Sequence, residues 1–180
     1  MDKKITAYKK RTIKIILLLI LVALNVGCDQ VAKNIVRQKI DYHENISLIA
    51  GHLTLTKVEN TGAFLSMGDE LPQAIRFITL SLLPIIVLAF GFCYLLIETD
   101  LPILMQVGMC FLLGGGIGNI YDRIRFGSVT DFLHADFGLF STGVFNFADV
   151  SIMVGIGILL FQSFRSKLIP SENQKMQESD

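Results

Sequence analysis

The chain has 180 residues, of which 52% are hydrophobic, and its mean hydropathy is +0.55. A soluble domain of this length is usually less apolar, so the composition favours a membrane protein. The 16 basic and 16 acidic residues balance, and they concentrate at the termini and between about residues 29 and 76. This distribution excludes a uniformly basic surface for nucleic acid.

The first apolar run follows a basic N-terminus. Five lysines and arginines lie within residues 3–11, and an apolar stretch covers residues 15–26. Either this is a signal peptide that ends before Cys28, which would then carry a lipid, or it is a membrane helix that stays in the protein. The apolar pattern resumes after the cysteine, which favours the retained helix, with a span near residues 13–33.

The last turns of this first helix contain a pair of opposite charges. Asp29 and Lys33 are four residues apart, so their side chains lie on one helical face and can form an ion pair. Because a lysine near the end of a membrane helix can extend its ammonium group toward the surface, we expect Lys33 to point outward.

Residues 34–75 form the one long polar segment of the chain. Within it, residues 53–58 alternate between apolar and polar, and residues 46–48 do so more weakly, a pattern typical of β-strands. We therefore expect a small β element that rests on the membrane surface. Residues 60–63, Asn-Thr-Gly-Ala, have the composition of a turn, since Gly and Asn tolerate positive φ.

Two uncharged runs of membrane-helix length come next, at residues 77–97 and 101–121. At about 1.5 Å per residue, each is long enough to cross a hydrocarbon core of about 30 Å. The turn between them is very short, so the two helices should be antiparallel neighbours. Pro84 should kink the first helix, and the G-x-x-x-G spacing of Gly114 and Gly118 should allow close packing of the second.

The remainder of the chain contains one more apolar run. Charged residues mark the exit of the third helix, and Gly127 should break it. Residues 132–145 are rich in Phe and short of charge, which suggests a segment lying in the membrane interface. A fourth span follows near residues 146–164, and residues 168–180 form a polar tail, expected to be cytoplasmic. Residues 1–167 are therefore predicted to be one all-α membrane domain with four helices, a small β element and an interfacial segment.

Two acidic residues, Asp131 and Asp149, fall at the same membrane face. Asp131 follows the exit of the third helix, and Asp149 lies in the first turns of the fourth. The basic N-terminus places both chain termini in the cytoplasm, so this face is the outer one. Ionisable residues at this depth are costly and are read as functional. Asn146 could simply cap the fourth helix and Asp149 could favour its positive end, but this leaves Asp131 unexplained.

Two carboxylates held close together share one proton, because they cannot both ionise easily. One then acts as a general base and the other as an acid, which suits them to activate water against an amide. The same pair can also carry protons or bind a cation, so the chemistry alone leaves these functions open. His134 and Asp136 lie near Asp131, but without further ligands they do not define a metal site, and no metal or cofactor is predicted.

Five short motifs occur in order along the four apolar runs. They are Asp29-Gln-Val-Ala-Lys33, Asn60-Thr-Gly-Ala63, the stretch from Gly114 to Asn119 with Asp122-Arg123, Gly127-x-Val129-x-Asp131-Phe132, and Phe145-Asn-Phe-Ala-Asp149. In this order, on spans of this length, they resemble the lipoprotein signal peptidases, or signal peptidase II, of bacteria. The similarity extends over the chain up to about residue 167.

The resemblance implies a metal-independent intramembrane aspartic endopeptidase in which Asp131 and Asp149 are catalytic. Its substrates would be prolipoproteins, cut before a cysteine that bears diacylglycerol. The positions that match substrate-binding or site-supporting residues of the family are Asn60, Gly62, Asn119, Arg123, Asn146, Ala148, Asp29 and Lys33. The expected setting is the bacterial cytoplasmic (inner) membrane, with the protein a monomer in contact with membrane lipid, its site near the outer face, and no nucleic acid partner.

The alternative is a small membrane lipoprotein or a proton- or ion-handling transporter subunit. Cys28 directly before Asp29 makes the N-terminus resemble a lipoprotein signal, and the lipoprotein interpretation depends on it. A transporter would need polar or charged groups along a path at mid-membrane depth. The central parts of the four apolar runs offer almost none, which favours the peptidase.

Overall fold

The computed structural model describes residues 2–42, 44–49, 51–62, 72–98 and 100–168, with the side chains of residues 8–167 among them. The elements in chain order are helix α1 (Asp2–Lys39), strands β1 (Ile46–Ile49) and β2 (Leu53–Asn60), helix α2 (Gln73–Ile97), helix α3 (Ile103–Phe126), strands β3 (Val129–Asp136) and β4 (Ser141–Phe145), and helix α4 (Phe147–Leu168). Ala63 of the predicted turn and the predicted polar tail from residue 169 onward lie outside the described residues.

All four helices of this part of the chain are long and apolar enough to cross a membrane. Together with a four-stranded sheet, they confirm the predicted fold of four membrane helices with a small β element. Helix α3 continues to Phe126, one turn past the predicted end at residue 121. It continues because the charges there have partners: Asp122 is paired with two cations inside the protein. The helix ends at Gly127, whose φ of +75° favours glycine, as predicted.

Helix α2 is irregular just before its proline. Residues Ile78–Leu82 form a π-helical turn, and the α-helix resumes at Leu83 with Pro84 in its first turn. A proline lacks the N–H group for the helical ladder, and its ring crowds the preceding turn. The wider turn before Pro84 accommodates both effects, so the irregularity expected at Pro84 lies on its N-terminal side.

Helix α3 packs against the other three helices, and its glycines allow the close approach. A Cβ atom on Gly118 would lie 2.7 Å from the Oδ2 atom of Asp29 in α1. On the face toward α4, a Cβ atom on Gly115 would collide with the carbonyl oxygen of Ala148. Small residues at these positions therefore bring the helix backbones together, as the glycine spacing predicted.

The sheet is antiparallel with the strand order β1-β2-β3-β4. Strands β1 and β2 occupy the positions predicted from the alternating pattern. In the β2–β3 pair, Val58 lies opposite Asp131 and Asn60 lies opposite Val129. Because alternate residues of a strand share a face, this register makes Asn60 and Asp131 diagonal neighbours.

Strands β3 and β4 cover most of the segment 132–145, which was expected to lie in the membrane interface and for which no strand was predicted. The first five residues of β3 are buried in succession, so its sequence lacks the alternation of a half-exposed strand. Its Phe132 and Leu133 pack in one cluster with Val36 of α1 and Ile40, which directly follows α1. This cluster attaches the sheet to the helices and fixes the position of Asp131.

Candidate active site

Asn146 contacts the carboxylates of both Asp131 and Asp149. Its Nδ2 donates to Asp131 Oδ1 at 2.6 Å, and its backbone N–H donates to Asp149 Oδ2 at 3.1 Å. The Oδ1 atom of Asn146 accepts the backbone N–H of Asp149 at 3.0 Å. The two residues thus cap α4 reciprocally, in the manner of a capping box. The cap that begins the helix also brings the two acids to one place.

Two more asparagines bind the remaining carboxylate oxygens. Asn60 Nδ2 donates to Asp131 Oδ2 at 2.9 Å, and Asn119 Nδ2 donates to Asp149 Oδ1 at 2.8 Å. Each carboxylate therefore accepts a hydrogen bond on each of its oxygens. The donors come from β2, α3 and the residue that precedes α4, so this arrangement requires the sheet and the helices to be assembled together.

A donor on its oxygen fixes the orientation of each of the three amides. Asn60 Oδ1 accepts the backbone N–H of Gly62 at 3.0 Å, and Asn119 Oδ1 accepts the Lys33 ammonium at 2.9 Å. The oxygen of Asn146 is held by the helix cap. Because backbone N–H and ammonium groups can only donate, each amide must turn its NH2 group toward the carboxylates.

Burial raises the pKa of Asp131 to about 6. Only 3% of the residue is exposed, so the charged form loses its solvation. Hydrogen bonds from Asn60 and Asn146 oppose this increase, and the negative charge of Asp149 adds to it. A carboxyl group with a pKa in this range can hold or release a proton near neutral pH, as acid–base chemistry requires.

A second polar cluster lies beside the two acids and is centred on Lys33. Its ammonium group lies 2.8 Å from Asp29 and 3.1 Å from Asp122, and Arg37 lies 2.8 Å from Asp122. The predicted pair between Asp29 and Lys33 is confirmed. The prediction that Lys33 points outward is wrong, since its side chain is fully buried. Its acidic partners, together with Asn119, hold the charge inside the protein.

The other predicted residues connect these clusters to their surroundings. The backbone N–H of Ala148 donates to Asp29 Oδ1 at 2.9 Å, which joins α4 to α1. Arg123 Nη2 donates to the carbonyl oxygen of Gly62 at 3.1 Å. All ten residues predicted for the site therefore lie in the two clusters or are joined to them by hydrogen bonds.

Several polar residues that the sequence did not single out extend the network into the sheet. Arg37 Nε donates to Thr130 Oγ1 at 2.8 Å, and Thr130 donates to Glu59 Oε1 at the same distance. Glu59 also accepts from Ser128 at 2.6 Å. Of the network residues left out of the predicted site, Asp122 had a sequence signal, its place before Arg123 in one of the motifs. The others are ordinary polar residues whose partners are distant in sequence.

His134 and Asp136 have local partners. The Nε2 atom of His134 lies 3.4 Å from Ser141 Oγ, and Asp136 Oδ1 accepts the backbone N–H of Gly138 at 2.8 Å. Across the described ranges, no three His, Cys, Asp or Glu side chains are grouped so that they could hold a metal ion.

A cleft of about 370 Å³ between α2, α3 and α4 reaches Asp149. Pro84, Ile152 and Met153 contribute to its apolar wall, whereas Asn119 and Asp149 lie on its polar side. Asp149 is half-buried there, and Asp131 is buried behind it. The cleft therefore gives an apolar molecule a route to Asp149.

These features define a multi-pass membrane protein with a hydrogen-bonded pair of acids, an arrangement suited to acid–base chemistry. Residues 19–165 match the family described as Signal peptidase (SPase) II. The chain is 38% identical over 135 residues to the lipoprotein signal peptidase of Enterococcus faecalis, with 74% of this chain and 79% of the relative covered. It is 32% identical over 160 residues to that of Streptococcus pneumoniae, with 89% and 97% covered.

A solved structure has the same fold. It is a bacterial membrane enzyme determined by the in meso method, with a TM-score of 0.77 and 24% sequence identity, and the match covers 87% of this chain and 92% of the other. The family match spans most of the present chain, including both acids and all four helices at least in part. The chain belongs to the signal peptidase II family.

Proposed function

We propose that this protein is an intramembrane aspartic endopeptidase that removes signal peptides from diacylglyceryl-modified bacterial prolipoproteins, with Asp131 and Asp149 as the catalytic pair. The observation that carries the proposal is Asn146, which binds both carboxylates and holds them together. The relatives from Enterococcus faecalis and Streptococcus pneumoniae are lipoprotein signal peptidases. A member of the same family is expected to act on the same class of substrate.

In the proposed reaction, one aspartate is ionised and the other is protonated. The ionised one takes a proton from water, and the water oxygen attacks the carbonyl carbon of the peptide bond that precedes the lipidated cysteine. The protonated one gives its proton to the carbonyl oxygen. When the tetrahedral intermediate collapses, the C–N bond breaks and the carboxyl group that took the water proton gives it to the nitrogen. The other carboxylate takes back a proton from a hydroxyl group of the intermediate, so the pair returns to its singly protonated state.

The apolar cleft supports a lipid-modified substrate. Its walls come from membrane helices, and it ends at the half-buried Asp149. A peptide with a diacylglyceryl group can therefore approach from the hydrocarbon core while its backbone meets the polar groups at the helix ends. Asn119 and Arg123 line the same cleft and are the residues proposed to position the peptide.

The test is cleavage by the purified protein in detergent. A diacylglyceryl-modified prolipoprotein should be shortened to a product that begins with the lipidated cysteine, as measured by mass spectrometry, and the same precursor without lipid should remain intact. Equal cleavage of both precursors would contradict the proposed substrate class. Failure to cut the lipidated precursor would contradict the activity.

We further propose that both termini are cytoplasmic and that the site lies near the outer face of the inner membrane. Basic residues precede the apolar part of α1, and Arg165 and Lys167 lie in the last turn of α4. One chain supplies every residue of the proposed site, so a monomer suffices. A topology reporter fused after Gly138 should register outside, and one fused after Glu98 should register inside. The opposite result would overturn this orientation.

A further inference from the structure

Lys33 is linked to Asp149 through a single side chain, Asn119. The ammonium group donates to Asn119 Oδ1 at 2.9 Å, and the NH2 group of the same amide donates to Asp149 Oδ1 at 2.8 Å. Lys33 is fully buried, so it is out of reach of the substrate. An amide whose oxygen binds a cation is polarised, and its N–H group becomes a stronger donor.

Asp149 and Asp131 differ in what is bound to the oxygens of the amides that donate to them. Asp149 receives the polarised amide on one oxygen and the backbone N–H of Asn146 on the other, at the N-terminus of α4 where the helix dipole favours negative charge. Asp131 also accepts two hydrogen bonds, from Asn60 and Asn146. The oxygens of those two amides accept backbone N–H groups, which are neutral, whereas the oxygen of Asn119 accepts an ammonium group.

We propose that Lys33 is a positioning residue that acts through Asn119 to make Asp149 the base of the pair, which leaves Asp131 as the acid. The inference rests on the proposed function and assigns the two roles that a pair of equivalent carboxylates would leave open. Among the hydrogen bonds and ion pairs of the described residues, none joins Lys33 directly to Asp131 or Asp149. The inference therefore gives a chemical role to this buried lysine.

The other charges near the pair act on both acids or cancel within the cluster. Arg123 of α3 is electrostatically coupled to both Asp131 and Asp149. Around Lys33, the charges of Asp29, Asp122 and Arg37 together balance its own. The ammonium also lowers the pKa of Asp131, but this is the weakest of the influences on that group. The specific effect on Asp149 therefore passes through the Asn119 hydrogen bonds.

The first experiment removes the charge while keeping the buried cluster neutral. The double variant Asp29→Asn/Lys33→Gln is compared with Asp29→Asn alone, and kcat and KM for a lipidated precursor are measured across pH. Loss of the cation should lower kcat about tenfold. It should also move the acid limb of the pH profile upward by about one pH unit, since a tenfold change in a proton-binding constant corresponds to one pH unit. KM and the alkaline limb should change much less. Lys39→Gln, an exposed position on the same helix, serves as the lysine control.

The second experiment tests whether the effect passes through Asn119. Lys33→Gln added to Asn119→Ala should cause no further loss of kcat, because the connection is already broken. Asn119→Ala alone leaves every charge of the cluster in place and should itself move the acid limb upward. This single variant tests the Asn119 connection even if the Lys33 variants do not fold.

An unchanged acid limb in Asn119→Ala, or additive losses in the combined variant, would overturn the inference. So would a Lys33 variant with lower thermal stability whose folded fraction keeps the wild-type kcat and pH profile, because Lys33 would then have only a structural role. The proposed function fails on a different result, namely cleavage by a variant that lacks one of the two aspartates.

Discussion

Replacing either Asp131 or Asp149 with Asn should lower the rate of cleavage by at least about 10³-fold, because each half of an acid–base pair is needed in the same step. The double variant should be no less active than either single variant, since residues that act as a unit are strongly non-additive. Asn keeps the size of Asp and can still accept one of the two hydrogen bonds that each carboxylate receives, so the variants should fold and still bind a lipidated precursor. The rate is read from the gel shift of that precursor.

Asp136→Asn is the matched control for these variants. Asp136 ends the same strand as Asp131 and is exposed, and its carboxylate accepts the backbone N–H of Gly138 in the following turn. Its replacement should leave cleavage unchanged. Near wild-type cleavage by Asp131→Asn or Asp149→Asn would show that the pair is not the catalytic centre. Losses that multiply in the double variant would show that the two acids act in separate steps.

Replacing Gly118 with Leu should abolish most of the folded yield. Even a Cβ atom there would lie 2.7 Å from Asp29 Oδ2 and 3.4 Å from Ala148 Cβ, and the rest of the leucine side chain has no room. Asp29 cannot move aside without breaking its contacts to Lys33 and Ala148. Overpacking of a tight core costs about 1–3 kcal/mol, and here the disturbance of a buried ion pair adds to it. The measurement is the monodisperse fraction on gel filtration together with the thermal midpoint.

Gly157→Leu provides the control for this substitution. Gly157 lies in α4, and a Cβ atom on it would meet no atom within 4 Å, so this variant should keep its yield. Asn60→Ala should behave differently from both glycine variants, since it removes a hydrogen bond to Asp131 without affecting helix packing. It should fold well and turn over slowly. Equal yields for Gly118→Leu and Gly157→Leu would contradict the packing role of Gly118.

The sequence predicted a structural feature correctly where the residue type at that position has few possible roles. An aspartate such as Asp131, placed where a membrane helix ends, is too costly to be incidental, and its pairing with Asp149 followed from the topology. Gly127 could be predicted as a helix end because its backbone conformation favours glycine. The four spans followed from length and hydropathy alone.

Other features depend on partners that are distant in sequence. Lys33 was expected to reach outward because nothing near it on α1 indicates that Asp122 and Asn119 of α3 lie against it. The same ion pairs keep α3 helical past the point where its charges suggested an exit. Strand β3 was missed because burial on both faces removes the period-two pattern from which strands are recognised.

The asparagine side chains around the aspartates have no titratable group, and hydrogen-bond donors on their oxygens fix their orientation. During a catalytic cycle, protons are then expected to move only among the two carboxyl groups, the water and the peptide. We therefore expect the asparagines to keep their orientation between substrates, and we expect turnover to be limited by chemistry or by the exchange of product for substrate through the membrane-facing cleft.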